Sequence, residues 1–462
     1  MTKIRTGIAG FDELFYGGIL AGSIILVEGI PGAGKTTFGV EFIYRGALKF
    51  EEPGVVLTFE QFPASLYRDA LNFGWDLQAL ERQNKLRVIC TSPEVVLRPE
   101  SSLLEEAVKE IGARRVLVDS VSHFRQVVDN PLALRQAVYA FCNGLRRLEL
   151  ISMLVKEQEQ EEGDFYSFEE FLVDVVVRLQ YGADGGLQRQ RTVEIIKSRG
   201  QPHLSGRHSF KISEEGIQVF SLRPLLLEPG EDYAAVPLLK TGVRGLDELL
   251  EGGLPRGVSI LVAGEAGTGK TVLGLEFLVR GALAQQEKGL FVSLEETPQK
   301  VRAHAAAFDW DLADLAQKGM VHLLFAPLVD VDFDELLVRL GSIIREHRIV
   351  RVVVDTLPAL ITRLRDPFVL REKLFYLVTY LNNLGCTSLF LYPTGTGIPG
   401  EQLDIVQSLV QGSIFLKSSL FHNRRLRYLE LYKLRGVSHA TGNHLMEITK
   451  NGVQVFPRVG GW

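Results

Sequence analysis

Lys35 and Lys270, each followed by a threonine, close two octapeptides, GIPGAGKT (29–36) and GEAGTGKT (264–271). Both fit G-x-x-x-x-G-K-[ST]. In that spacing glycines let backbone N–H groups face phosphate oxygens, and the N-terminus of the following helix adds partial positive charge. The expected cradle is Gly29, Pro31, Gly32, Ala33, Gly34, Lys35, Thr36 and Thr37 in the first loop, and Gly264, Ala266, Gly267, Thr268, Gly269, Lys270, Thr271 and Val272 in the second. Lys35 and Lys270 would reach the β- and γ-phosphates of a nucleoside triphosphate, while the Thr36 and Thr271 hydroxyls would ligate Mg²⁺.

Hydrolysis at such a loop needs further groups, and both halves supply them. RRVLVDS and VRVVVDT read as apolar strands ending in Asp119 and Asp355, whose carboxylates a buried strand would deliver to the sheet edge to hold Mg²⁺ directly or through water. VLTFEQFP (56–63) and FVSLEETP (291–298) align Glu60 with Glu295 and Gln61 with Glu296. An ionised glutamate both orients a water and accepts its proton, whereas glutamine only orients it. Glu60, Glu295 and Glu296 are therefore the candidate catalytic carboxylates. Gln61 replaces an anion beside Glu60 by a neutral amide, which lowers like-charge repulsion there and points to a differently tuned first site. Capping of the next helix is the structural alternative for these acids.

Late in each half VEIIKSRGQPH and LELYKLRGVSH carry Lys197, Arg199 and His203, then Lys433, Arg435 and His439. A Lys and an Arg two apart on a strand share a face, so both could meet developing phosphate charge.

These groups are set in a repeat. TGIAGFDELFYGGILAGSIILVEGIPGAGKTTFGVEFIYRGAL recurs without a gap as TGVRGLDELLEGGLPRGVSILVAGEAGTGKTVLGLEFLVRGAL, at an offset of 270 − 35 = 235 residues. That is far beyond the ~20 to 50 residues of a solenoid repeat, so a whole domain is duplicated. The expected division is a first domain at 1–222, a proline-containing linker at 223–236 and a second domain at 237–462. SIILVEG, VVLTFE, RVLVDS and LISMLV in the first half, and SILVAG, LFVSLEE, VRVVVDT and TSLFLY in the second, are continuous apolar runs separated by helix-period segments. They predict α/β domains, each a mostly parallel sheet with helices on both faces.

With 46% hydrophobic and 23% charged residues the 462-residue chain reads as globular, and its net charge of −5 argues against a generally basic, nucleic-acid-binding surface. Cys90, Cys142 and Cys386 form no C-x-x-C, and no apolar run approaches the roughly 20 residues that span a bilayer. The expected setting is the cytoplasm, with no membrane partner.

With paired phosphate loops, the E-E or E-Q element, FGWD (73–76) and FDWD (308–311), Asp-ended strands and K-x-R-G-x-x-H in both halves, the sequence resembles the RecA superfamily and, within it, the KaiC-like family of tandem-domain ATPases. The resemblance implies two RecA-like P-loop NTPase domains that bind ATP with Mg²⁺. It also implies a hexameric double ring with ATP between neighbouring chains, and Lys197 and Arg199, or Lys433 and Arg435, acting in trans on the γ-phosphate. The expected activity is ATP hydrolysis that signals conformationally to an unidentified protein partner. The clock member of the family autophosphorylates an adjacent Ser/Thr pair upstream of K-x-R-G; DIVQSLVQGSIFLKSS has no such pair at the aligned place, with Ser408 the nearest candidate and Ser413 next.

Two other readings compete. A DNA-dependent motor or recombinase would need strand-contacting loops, but KEQEQEEGDFYSFEEF is acidic and YPTGTGIPGEQLD almost uncharged, the latter expected as a mobile loop. HNRRLRYLELYKLRG does carry a basic run, Arg424, Arg425 and Arg427. Alternatively, one or both tiers hold ATP only as interface glue.

Overall fold

Alternation within the apolar runs decides the architecture. In Ile24–Gly29 (β1) all residues are buried, with Ile25 and Val27 in one core and Ile24 and Leu26 in another. A strand covered on both faces needs no polar face, which is why it reads as a continuous apolar run. The same holds for Ser259–Gly264 (labelled β10 below), where Ile260 and Val262 face one core and Leu261 and Ala263 the other.

The structure, a computed structural model, describes residues 2–98, 102–128, 130–158, 167–183, 189–221, 237–327, 332–361, 366–395 and 400–457. The expected linker at 223–236 lies outside these residues, as do 159–166 of the acidic loop and 396–399 of the glycine-rich loop. The chain divides into two compact units, Met1–Ser221 and Leu222–Trp462.

In the first unit β1 is joined by Gly54–Thr58 (β2), Leu86–Cys90 (β3), Arg115–Asp119 (β4), Ile151–Glu157 (β5), Val175–Ala183 (β6), Arg189–Ser198 (β7), Arg207–Ser213 (β8) and Gly216–Phe220 (β9). The sheet order is β9-β8-β7-β6-β1-β5-β4-β2-β3. Six strands, β6 through β3 in that order, run parallel, and β7, β8 and β9 extend them antiparallel. The second unit repeats the plan with β10, Gly289–Ser293 (β11), Val321–Phe325 (β12), Arg351–Asp355 (β13), Thr387–Pro393 (β14), Gly412–Phe421 (β15), Arg424–Leu434 (β16), Asn443–Thr449 (β17) and Gly452–Phe456 (β18), in the order β12-β11-β13-β14-β10-β15-β16-β17-β18. These are two RecA-like α/β sheets, mostly parallel, with helices on both faces. Open parallel sheets bind ligands beyond the carboxyl ends of their strands, and β1, β2, β4 and β5 all end on one edge.

Helix Lys35–Lys49 (α1) follows β1, and Lys270–Ala284 (α2) follows β10. A buried arginine fixes each helix to the sheet: Arg115 donates to Glu52 at 2.5 and 2.7 Å and to the carbonyls of Arg5, Thr6 and Phe42. Arg351 does the same with Glu287, Phe277 and Lys240. Burying a guanidinium is tolerated only when it is paired and hydrogen-bonded in this way. A Cβ on Gly46 or Gly281 would come within 2.3 Å of that side chain, which explains a glycine inside each helix.

Candidate active site

The two phosphate loops have the backbone their glycines predict. Gly34 and Gly269 cap α1 and α2 at φ 102° and 104°, in the left-handed region. A Cβ on Gly34 would also lie 2.7 Å from Ile212 Cδ1. Lys35 Nζ donates to the Ile30 carbonyl at 3.1 Å, and Lys270 Nζ to those of Gly264 and Glu265 at 2.8 and 2.9 Å. Burial lowers the pKa of both ammonium groups, opposed by Glu157 and Asp119 in the first unit and by Asp355 in the second. Each cation is thus held inside its own loop by carbonyls that a phosphate would replace.

β2 and β5 flank β4, and β5 pairs with β1, so Asp119 reaches the edge two strands from the loop. Thr36 Oγ1 donates to Asp119 Oδ2 at 2.7 Å, and Thr271 Oγ1 to Asp355 Oδ2 at 2.8 Å. Two hard oxygens meeting in this way fit a divalent cation such as Mg²⁺. Burial raises the Asp119 carboxyl pKa and lifts Asp355 to about 6, with Glu296 and then Glu295 adding repulsion at Asp355.

Glu60 stands just past β2 with its side chain 79% exposed, and its Oε2 lies 3.5 Å from His123 Nε2. Neither Glu60 nor Glu295 caps a helix: the N-caps of Pro63–Leu71 and Pro298–Ala306 are Phe62 and Thr297, without side-chain capping bonds. Gln61 turns its amide onto Asp69 Oδ2 at 2.9 Å, and Glu296 lies 3.3 Å from His304 Nδ1. The second position of each pair therefore engages the following helix.

Each late Lys–Arg pair stays together, burial and then the charge of the neighbouring arginine lowering the pKa of Lys197 and of Lys433. A bulge precedes each lysine, at Ile196 and at Tyr432, and Arg199 and Arg435 lie just beyond the ends of β7 and β16. Lys197 Nζ donates to the carbonyls of Glu170 and Val173, and Arg199 sits 3.8 Å from Asp174. Lys433 donates to Gln407 and Val410, and Arg435 to Ser408. Both pairs stand by the start of the loop-bearing strand: Arg199 N bonds Asp174 O, and Asp174 N bonds Ile24 O. From Ile24 to Gly29 is about 17 Å of strand, so neither pair reaches its own chain's phosphate loop. Ser408 is exposed beside Arg435. Ser413, the other candidate phosphoacceptor, is 1% exposed in β15, opposite Leu261, and is withdrawn from that role. His203 is half-buried in the turn after Arg199, and His439 lies after Arg435 with Nδ1 3.5 Å from the Val437 carbonyl.

A family model described as the ATPase KaiC matches residues 4–223 and, again, residues 239–460. The chain belongs to the KaiC family. It is 31% identical over 466 residues to the circadian clock oscillator protein KaiC 1 of Synechocystis sp., covering 98% of this chain and 89% of that one. It is also 31% identical over 463 residues to the circadian clock oscillator protein KaiC of Rippkaea orientalis, with coverage of 97% and 88%. To that of Synechococcus elongatus it is 30% identical over 452 residues, with coverage of 95% and 86%.

Three features of this KaiC-family chain are not visible in the sequence, where Arg427 stands out only as part of a basic run. Six residues before Lys197 and Lys433, Arg191 donates to the Gly32 carbonyl at 3.4 Å and Arg427 to that of Gly267 at 3.2 Å. The matched spacing was the available signal. His123 approaches Glu60 from the short 3-10 helix Val121–Gln126 that follows β4, which no local motif announces. The peptides Asp119–Ser120 and Asp355–Thr356 are cis.

Proposed function

We propose that this KaiC-family ATPase binds and hydrolyses Mg-ATP at two sites per chain, each completed by a neighbouring copy in a hexameric double ring, and passes nucleotide state to a protein partner as a conformational signal. One observation carries the reading: Lys197 and Arg199, and likewise Lys433 and Arg435, stand at the opposite end of the strand from their own phosphate loop. A cation separated from its own phosphate loop by about 17 Å of strand serves a site only if another chain supplies the nucleotide.

In this scheme Lys35 and Lys270 exchange loop carbonyls for phosphate oxygens, and the loop N–H groups hold the rest of the phosphate chain. Thr36 with Asp119, and Thr271 with Asp355, would hold Mg²⁺, which when bound supplies positive charge against that developing on the phosphates. Glu60 and Glu295 orient the attacking water and accept its proton. Phosphoryl transfer to protein, where the second tier performs it, acts on Ser408 beside Arg435.

The DNA-motor reading loses part of its basis, since Arg427 is turned onto its own phosphate loop and Lys417 is paired with Glu430 at 2.5 Å. The proposed setting is the cytoplasm. Among the described residues no helix is long and apolar enough to cross a membrane, and Cys142 and Cys386 are buried free thiols. Native mass spectrometry with and without ATP tests the assembly. Six chains carrying two nucleotides each are expected, and a monomer that binds two nucleotides with full turnover would contradict the reading.

A further inference from the structure

We propose that His123 is a positioning residue of the first site, holding the Glu60 carboxylate in place, and that the second site lacks this device. The inference rests on the reading of Glu60 as the first site's base. The imidazole bridges the ends of two adjacent strands. Its Nε2 lies 3.5 Å from Glu60 Oε2, just past β2, and its Nδ1 lies 3.0 Å from Ser120 Oγ, just past β4. The ring also packs against Phe59, with centroids 6.2 Å apart.

His123 is 16% exposed where Glu60 is 79% exposed. A glutamate that open to solvent keeps most of its rotamer freedom unless a fixed neighbour removes it. Nδ1 is held at Ser120, 3.0 Å from its hydroxyl and 3.2 Å from its carbonyl oxygen, which fixes the ring with Nε2 facing the carboxylate. The acidic groups facing the ring are Glu60 from β2 and Asp119 from β4. Four residues beyond Asp355, where β13 ends, the matching position is Ala359, whose methyl group makes no hydrogen bond to Glu295. The two sites thus hold equivalent bases with unequal constraint.

The effect falls on turnover and not on nucleotide affinity, because His123 touches the base and not the phosphate loop. In the full chain, Lys270→Ala silences the second site so that the first is read alone. There His123→Ala is expected to lower kcat about tenfold, since misplacing a catalytic group by an ångström costs that much or more. KM and the Mg²⁺-dependent affinity for a fluorescent ADP analogue should stay within about twofold. His123→Gln, which keeps a side-chain N–H donor, should recover most of the rate. His123→Ala should add almost nothing once Glu60→Gln is present, because residues acting through one another are non-additive.

Undiminished kcat in His123→Ala beside an inactive Glu60→Gln overturns the inference alone. So does a loss of the same size in the Glu60→Gln background, or a matching loss of ADP-analogue affinity. Full turnover by Glu60→Gln overturns the reading of Glu60 as base, and this inference with it.

Discussion

The side-chain amide of Gln61 donates to the Asp69 carboxylate at 2.9 Å, and at the same eight-residue spacing Glu296 lies 3.3 Å from His304. The partners have changed together: a neutral donor meets an anion in the first unit, and an anion meets an imidazole in the second. The altered carboxylate therefore answers to the helix that follows it. Gln61→Glu would set two carboxylates against each other on a partly exposed surface, lowering the first unit's stability by about 0.5 kcal/mol after solvent screening. Adding Asp69→His should restore it. Urea unfolding of the three chains checks this, and an unshifted midpoint in Gln61→Glu would show that the contact is energetically idle.

Replacing the base removes chemistry and spares binding. Glu60→Gln in the first site, or Glu295→Gln in the second, should reduce that site's turnover by about 100-fold, the scale of general-base catalysis. Affinity for ATP should change little. Single-site rates are read with the other phosphate-loop lysine replaced by alanine, and full turnover in either variant would place the base elsewhere.

Asp355 gives the second unit a pH dependence. Its carboxyl is lifted from 3.8 to about 6 by burial first, and by Glu296 and Glu295. The folded chain thus favours the protonated group. That contribution is complete below pH 3.8 and is lost as pH rises through 6. Asp355→Asn keeps an acceptor for Thr271 without the charge, so in nucleotide-free protein it should raise the thermal midpoint by a few degrees at pH 8 and by almost nothing at pH 4. A midpoint lowered by the substitution at pH 8 would contradict this.

The two serine candidates separate by burial. Any label incorporated from γ-labelled ATP should be found by mass spectrometry on Ser408, which is exposed beside Arg435, and label on Ser413 would contradict the packing of β15.

Much of this was legible in the sequence because it is local. Gly34, Lys35 and Thr36 announce the phosphate loop through spacing alone, and the runs ending at Gly29 and Asp119 announce buried strands because they are apolar on both faces. What stayed hidden is long-range. Arg191 meets Gly32 across 159 residues. His123 meets Glu60 only because β2 and β4 pair. The alternation argument put Lys197 and Arg199 together but could not name their partners, Glu170, Val173 and Asp174, which come from an earlier stretch of the chain. The pairing of Gln61 with Asp69 was hidden for another reason: the helix turn that joins them carries no motif.

The central claim is that each site is completed by another chain, and subunit mixing tests it most directly. Chains carrying Lys35→Ala and Lys270→Ala keep their Lys–Arg pairs but lack the ammonium groups of the phosphate loops. Chains carrying Arg199→Ala and Arg435→Ala keep their loops but lack the trans-acting arginines. Each should hydrolyse ATP poorly alone. Mixed in equal amounts and reassembled, they should regain about one quarter of wild-type turnover, the share of interfaces that join an intact loop to an intact arginine. A mixture no more active than the two preparations measured separately, or full turnover by the arginine variant alone, would contradict the account.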